Sequence, residues 1–98
     1  MVATLIDAYE LRYPSQGMRP TIFLMNSGNL VGLLTFYPNG TELRPDNVDQ
    51  TVYLYYHLED FENCAALLRN QKTVYMNYNG TGATATNSLQ TGATIAGT

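Results

Sequence analysis

Thr51-Val52-Tyr53-Leu54-Tyr55-Tyr56-His57, then Leu58-Glu59-Asp60-Phe61-Glu62-Asn63-Cys64-Ala65-Ala66-Leu67-Leu68-Arg69-Asn70, then Lys72-Thr73-Val74-Tyr75-Met76-Asn77-Tyr78: across this run the apolar period changes twice. In the first part every residue except His57 is β-branched, aromatic or leucine. Alternation there sets Val52, Leu54 and Tyr56 on one face and Tyr53, Tyr55 and His57 on the other, which predicts a strand. From Leu58 the spacing becomes helical: Leu58, Phe61, Ala65 and Leu68 form a stripe that Cys64 and Leu67 widen, with Glu59, Asp60, Glu62, Asn63 and Arg69 off it. The acids lie where backbone N–H groups lack partners and the helix dipole favours negative charge. Arg69 lies near the other end, and Asn70 is placed to stop the helix in the left-handed conformation. Alternation then returns, with Val74, Met76 and Tyr78 facing one way and Thr73, Tyr75 and Asn77 the other. Packing the helical stripe on the apolar side of a sheet contributes roughly 1.5 to 3 kcal/mol for a residue such as Phe61 or Leu68.

Working back toward the amino terminus, residues 2–13 alternate over a long strand that Asp7 interrupts, and a bulge at Asp7 reverses which face Tyr9 and Tyr13 occupy. Residues 14–20 form a loop, by their two prolines and glycine, and 21–25 form a short apolar strand. Asn26-Ser27-Gly28-Asn29 turns the chain into a strand over 30–37, where Gly32 marks a bulge or a close backbone approach. Three strands joined by short turns read as an antiparallel meander. The expected fold is therefore α+β: an antiparallel sheet of about five strands in the order β-β-β-β-α-β, one helix packed on one face, and a Thr/Gly/Ala-rich C-terminal extension. Residues 1–78 make one domain. Residues 79–98 carry no charge and read by composition as a flexible, low-complexity extension, which, where it is held in place, can add a strand to its own sheet or to that of a neighbouring subunit with Leu89 and Ile95 as anchors. The sequence leaves open whether the strand after the helix pairs parallel or antiparallel to the one before it.

A chain of 98 residues holds one hydrophobic core. Charged residues are 13% of it, against roughly 25% in ordinary soluble domains, so neutral polar groups or a partner must cover part of the surface. The net charge is −3 and the cations are Arg12, Arg19, Arg44, Arg69 and Lys72, which disfavours strong phosphate-backbone binding. The single cysteine, Cys64, excludes an internal disulfide and every multi-cysteine metal site; on the apolar side of a helix it reads as a small core residue. No basic start precedes a long apolar run and no window matches a membrane span, so the expectation is a cytoplasmic protein with no membrane partner.

No arrangement of residues points to catalysis, a cofactor or a metal. His57 is the one histidine, and the serines lie in turns or in the tail, outside any Gly-x-Ser-x-Gly elbow. His57 and Cys64 straddle a strand-to-helix junction that does not by itself bring them together. Glu42, Asp46 and Asp49 in the long loop over 38–50 lack calcium-loop spacing. Gly80-Thr81-Gly82 follows a strand, but Ala85 stands where the third glycine of a dinucleotide loop belongs.

The most informative feature is eight tyrosines with no tryptophan. Alternation places Tyr37, Tyr53, Tyr55 and Tyr75, with His57, on the sheet face away from the helix, and Tyr56 and Tyr78 on the helix side. An outer face so rich in aromatics is expected to meet a partner rather than water. Two uses compete. As a self-association surface, most simply in a dimer, tyrosines give large contact area at low entropy cost and keep their hydroxyls hydrogen-bonded. As a platform for single-stranded nucleic acid, they would stack bases, and arginines or Lys72 should converge on the edge. The acidic balance favours the first: a non-enzymatic, self-associating interaction module.

Overall fold

The strand, helix and strand of residues 51–78 form largely as their periods require, except that Asn77, expected on the side away from the helix, is fully buried, whereas the way the strands assemble differs from expectation. The computed structural model describes residues 2–15, 19–71, 73–80 and 87–91. Along them run β1 (Val2–Ile6), β2 (Ala8–Arg12), β3 (Thr21–Asn26), β4 (Asn29–Tyr37), β5 (Asn47–Val48) and β6 (Val52–His57). A 3-10 turn (Leu58–Asp60) then leads into α1 (Phe61–Asn70), followed by β7 (Val74–Tyr78) and β8 (Ser88–Gln90). The buried residues of α1 are Phe61, Cys64, Ala65 and Leu68, the expected stripe. No side chain of the helix itself caps its start; Asn39 Oδ1 accepts the Glu59 N–H at 2.7 Å from the loop opposite. At the other end Asn70 stays helical rather than left-handed. The chain leaves through extended Gln71, whose N–H bonds Leu67 O at 3.2 Å.

The α+β class holds, but the strands do not make one antiparallel sheet of about five. They make a five-stranded sheet in the order β2-β3-β4-β6-β5 and a three-stranded sheet in the order β1-β7-β8. The cause lies at Asp7. Residues 2–13 were expected as one strand; instead β1 pairs with β7 and β2 pairs with β3. Ile6 is buried on the core side before the break, whereas after it Tyr9 and Leu11 lie opposite buried Leu24 and Ile22, so the alternation reverses. The corner is held by polar contacts. Asp7 N–H donates to Met25 O at 3.0 Å, Asp7 Oδ2 accepts the Ser27 N–H at 2.9 Å, and Asn26 Nδ2 donates to Leu5 O at 2.7 Å. Ser27 and Gly28, at φ 52° and 82°, make the tight turn with two positive φ angles that suits a twisted hairpin.

The second departure is that β6 lies parallel to β4, with Leu34 opposite Leu54 and Tyr37 opposite His57. A parallel pair needs a connection of about a dozen residues or more, and the long loop supplies it, adding β5 antiparallel to the far side of β6. After α1 the chain does not return beside β6 in either sense; β7 joins β1 and then β8, so the meander proper is confined to β2, β3 and β4. Within the extension, β8 pairs with β7 of its own chain and Leu89 packs against the core, while Ile95 lies outside the described residues. Among the described residues no helix is long and apolar enough to cross a membrane.

Ile22, Leu24, Leu34, Phe36 and Leu54 from the large sheet meet Ile6, Val74 and Met76 from the small one and the stripe of α1 in one core. Phe36 sits at its aromatic centre, edge-to-face with Phe61 at 4.9 Å and stacked on Tyr56 at 5.7 Å, and Tyr13 meets Phe61 edge-on at 5.2 Å. Gly32 fulfils both readings of a glycine in a strand: the register slips beside it, and Met76 of the other sheet lies against it. A Cβ there would clash with Met76 Sδ and fall 3.2 Å from Leu24 Cδ1. Gly32→Ala should therefore cost about 1 to 3 kcal/mol by overpacking, measured as a lower urea midpoint. Met76→Ala in the same background should recover part of the loss that Gly32→Ala adds.

Candidate interaction surface

The register of the large sheet fixes which side chains share its outer face. Across the strands run Glu10, Phe23, Leu33, Tyr53 and Asn47; beside them run Arg12, Thr21, Thr35 and Tyr55; and beyond these lie Tyr37 and His57. Phe23, Leu33, Tyr37, Tyr53, Tyr55 and His57 are all half-buried, and no described element lies across them. Tyr37 and Tyr55 pack edge to face at 5.8 Å. The large sheet thus presents a largely aromatic and aliphatic face, interrupted by Thr21 and Thr35 and backed by the core.

The long loop braces one side of this plane. His57 Nε2 donates to Thr41 O at 2.7 Å, which fixes the ring and places its proton on Nε2. Asp46 Oδ1 accepts the Tyr55 N–H at 2.9 Å, and Asp46 Oδ2 accepts from Asn87 Nδ2 at 3.0 Å, tying the loop to the residue just before β8. Asp49 Oδ1 accepts the Thr51 N–H at 2.9 Å in a local turn. Asp46 and Asp49 thus serve as backbone acceptors, and no cluster of three potential metal ligands occurs among the described residues.

Four of the five residues expected on the surface, Tyr37, Tyr53, Tyr55 and His57, come together on this face. Tyr75 does not: β7 belongs to the other sheet, where Tyr75 stands between Leu5 and Gln90. Tyr56 and Tyr78 pack against the core as expected. Phe23 and Leu33, at the centre of the face, were not singled out from the sequence, because residues 21–25 and 30–34 are mostly apolar and period alone does not tell one side from the other. Two arginines join them. Arg12 lies over the Phe23 ring at 4.6 Å and Arg19 over Tyr37 at 4.2 Å; Lys72 falls outside the described residues.

His57 and Cys64 do not form a pair: His57 shares the outer face with Tyr37, whereas Cys64 is buried in the core on the helix side. Burial, with the charge of Asp60 adding to it, pushes the Cys64 thiol up to about 11. Burial likewise raises the Tyr56 phenol, with contributions from Cys64, Asp46 and Asp60. Comparison with protein-family models, curated proteins and solved structures gives no match.

Both groups fold more readily in their protonated forms, which sets the sign of a pH effect. The Cys64 contribution is fully present below its ordinary value of 9.0 and is lost as pH rises toward about 11. The urea midpoint of the wild type should fall across that window, and Cys64→Ala should show a shallower fall over the same range. Equal slopes would mean that the thiol is not held in the core.

Proposed function

We propose that this chain is a non-enzymatic interaction module that self-associates through the outer face of its five-stranded sheet. The observation that carries the reading is the plane of Phe23, Leu33, Tyr37, Tyr53 and Tyr55, half-buried and uncovered by any described element. Its composition fits a protein interface: aromatic and aliphatic at the centre, with Glu10 and Arg12 toward the margin on β2. Two such planes packed face to face bury their rings while each phenol keeps its hydroxyl at the edge of the contact. A chain with 13% charged residues has little else with which to solvate that plane.

The second reading, a platform for single-stranded nucleic acid, is favoured by one observation: Arg12 and Arg19 lie on the aromatic face, as base stacking with backbone neutralisation requires. Against it, Arg12 is paired with Glu10 at 2.6 Å and the chain carries a net charge of −3. Protein contact is therefore preferred.

Light-scattering mass of wild type and Tyr55→Asp, each with and without a fluorescent single-stranded oligonucleotide at low salt, separates the two. Self-association through the face predicts an oligomer whose mass halves in Tyr55→Asp and which takes up no oligonucleotide. An unchanged mass in that variant removes the face as the interface. A wild-type monomer that binds the oligonucleotide and releases it as salt rises establishes the second reading instead.

A further inference from the structure

β2 is an end strand of the five-stranded sheet, so alternate residues from Ala8 to Arg12 turn their backbone N–H and C=O groups away from β3, with no neighbouring strand among the described residues. Such an edge invites another strand, and proteins usually discourage it with charged side chains, lysine above all, with proline or with a bulge. β2 has no lysine, proline or bulge, and its two charges, Glu10 and Arg12, are of opposite sign. It reads Ala-Tyr-Glu-Leu-Arg, Tyr13 follows it, and the first proline is Pro14. Toward the helix side it carries Tyr9, Leu11 and Tyr13, exposed by 37%, 42% and 64%. On the outer side stand Glu10 and Arg12.

We propose that β2 pairs antiparallel with β2 of a second copy about a two-fold axis through Leu11, joining the two large sheets edge to edge. The charge pattern selects both the partner and the register. In an antiparallel pair centred on Leu11, Glu10 faces Arg12 of the second copy and Arg12 faces its Glu10, while Tyr9 faces Tyr13 on the opposite side. Sliding the pair by one step toward either end sets Glu10 against Glu10 or Arg12 against Arg12. A shift of half a step puts Leu11 on the face of a charged residue. One register alone satisfies both faces, and it is self-complementary, as a two-fold contact must be. The Glu10–Arg12 ion pair within each copy, at 2.6 Å and more than half exposed, is free to exchange for the pairs between copies.

This contact is made by the backbone edge of β2 and does not rest on the tyrosine plane, at whose margin Glu10 and Arg12 also stand, since Tyr55→Asp leaves β2 intact. The test is a charge exchange read by light-scattering mass, with far-UV circular dichroism confirming the fold. Glu10→Arg sets a cation opposite Arg12 of the second copy, and Arg12→Glu sets two carboxylates together, so each variant alone should have half the wild-type mass. The double variant Glu10→Arg/Arg12→Glu restores opposite charges and should recover the wild-type mass. So should an equimolar mixture of the two single variants, which can pair only with each other. Single variants of unchanged mass would overturn the proposal, as would failure of both the double variant and the mixture to recover it. A wild type that is itself monomeric would also overturn it.

Discussion

One strand serving two sheets is the constraint on which the rest of the structure depends. A strand shows its side chains to alternate sides with a period of two, so a single unbroken run cannot place Ile6 against the core in one sheet and Leu11 on the core side of the other. Asp7 resolves this. It takes the odd position at which the phase is reset, and its carboxylate and N–H close the corner onto Ser27 and Met25 of the neighbouring hairpin. Those bonds are local and partly solvated, and each is modest, roughly 0.5 to 1.5 kcal/mol for an ordinary hydrogen bond. Their value lies in geometry: they turn β1 toward β7 while β2 stays with β3, and so create two sheets that can face one core.

Once the sheets are separate, something must keep them together, and two contacts do so at opposite depths. In the core Met76 lies in the space that Gly32 leaves, bringing the strands of the two sheets closer than any side chain at position 32 would permit. Toward the surface Asn87 joins Asp46 with Gly80 O and the Asn79 N–H, so the residue just before β8 and the end of β7 are both tied to the loop that braces β6. The outer aromatic plane is therefore supported from behind by packing and at its side by polar contacts. Tyr55 illustrates the coupling, since its backbone N–H ends in the same carboxylate that holds Asn87.

Local patterns in the sequence reported what local physics decides. The strand, helix and strand of residues 51–78 were legible because period, charge placement and side-chain type all agree there. The inward set of Val74 and Met76, the buried stripe from Phe61 to Leu68, and the special place of Gly32 were legible for the same reason. The partition into sheets was not, because the choice of partner strand depends on the corner at Asp7 and on a connection long enough to lay β6 parallel to β4, neither of which leaves a periodic trace. The surface divides along the same line. Tyr53, Tyr55 and His57 share a strand, so alternation suffices to group them. Tyr75 was grouped with them by the same alternation and fails, because its strand belongs to the other sheet.

The positions of the charges support the proposed reading, in which a largely neutral partner rather than a polyanion meets the outer plane. Of the arginines, Arg12 and Arg19 lie with their guanidinium groups over Phe23 and Tyr37, so the rings nearest the available cations are already occupied. A base stacking there would have to displace one cation–π contact to make one stack, an exchange of terms of similar size. The phosphates would then meet Glu10 beside Arg12 at one margin, and Asp46 stands near Tyr55 at the other. Another sheet face makes no such demand. On the proposed reading it settles on Leu33 at the middle of the plane and on Tyr53 and Tyr55 beside it, and leaves both guanidinium groups toward the other side, where water and, for Arg12, the Glu10 carboxylate continue to solvate them.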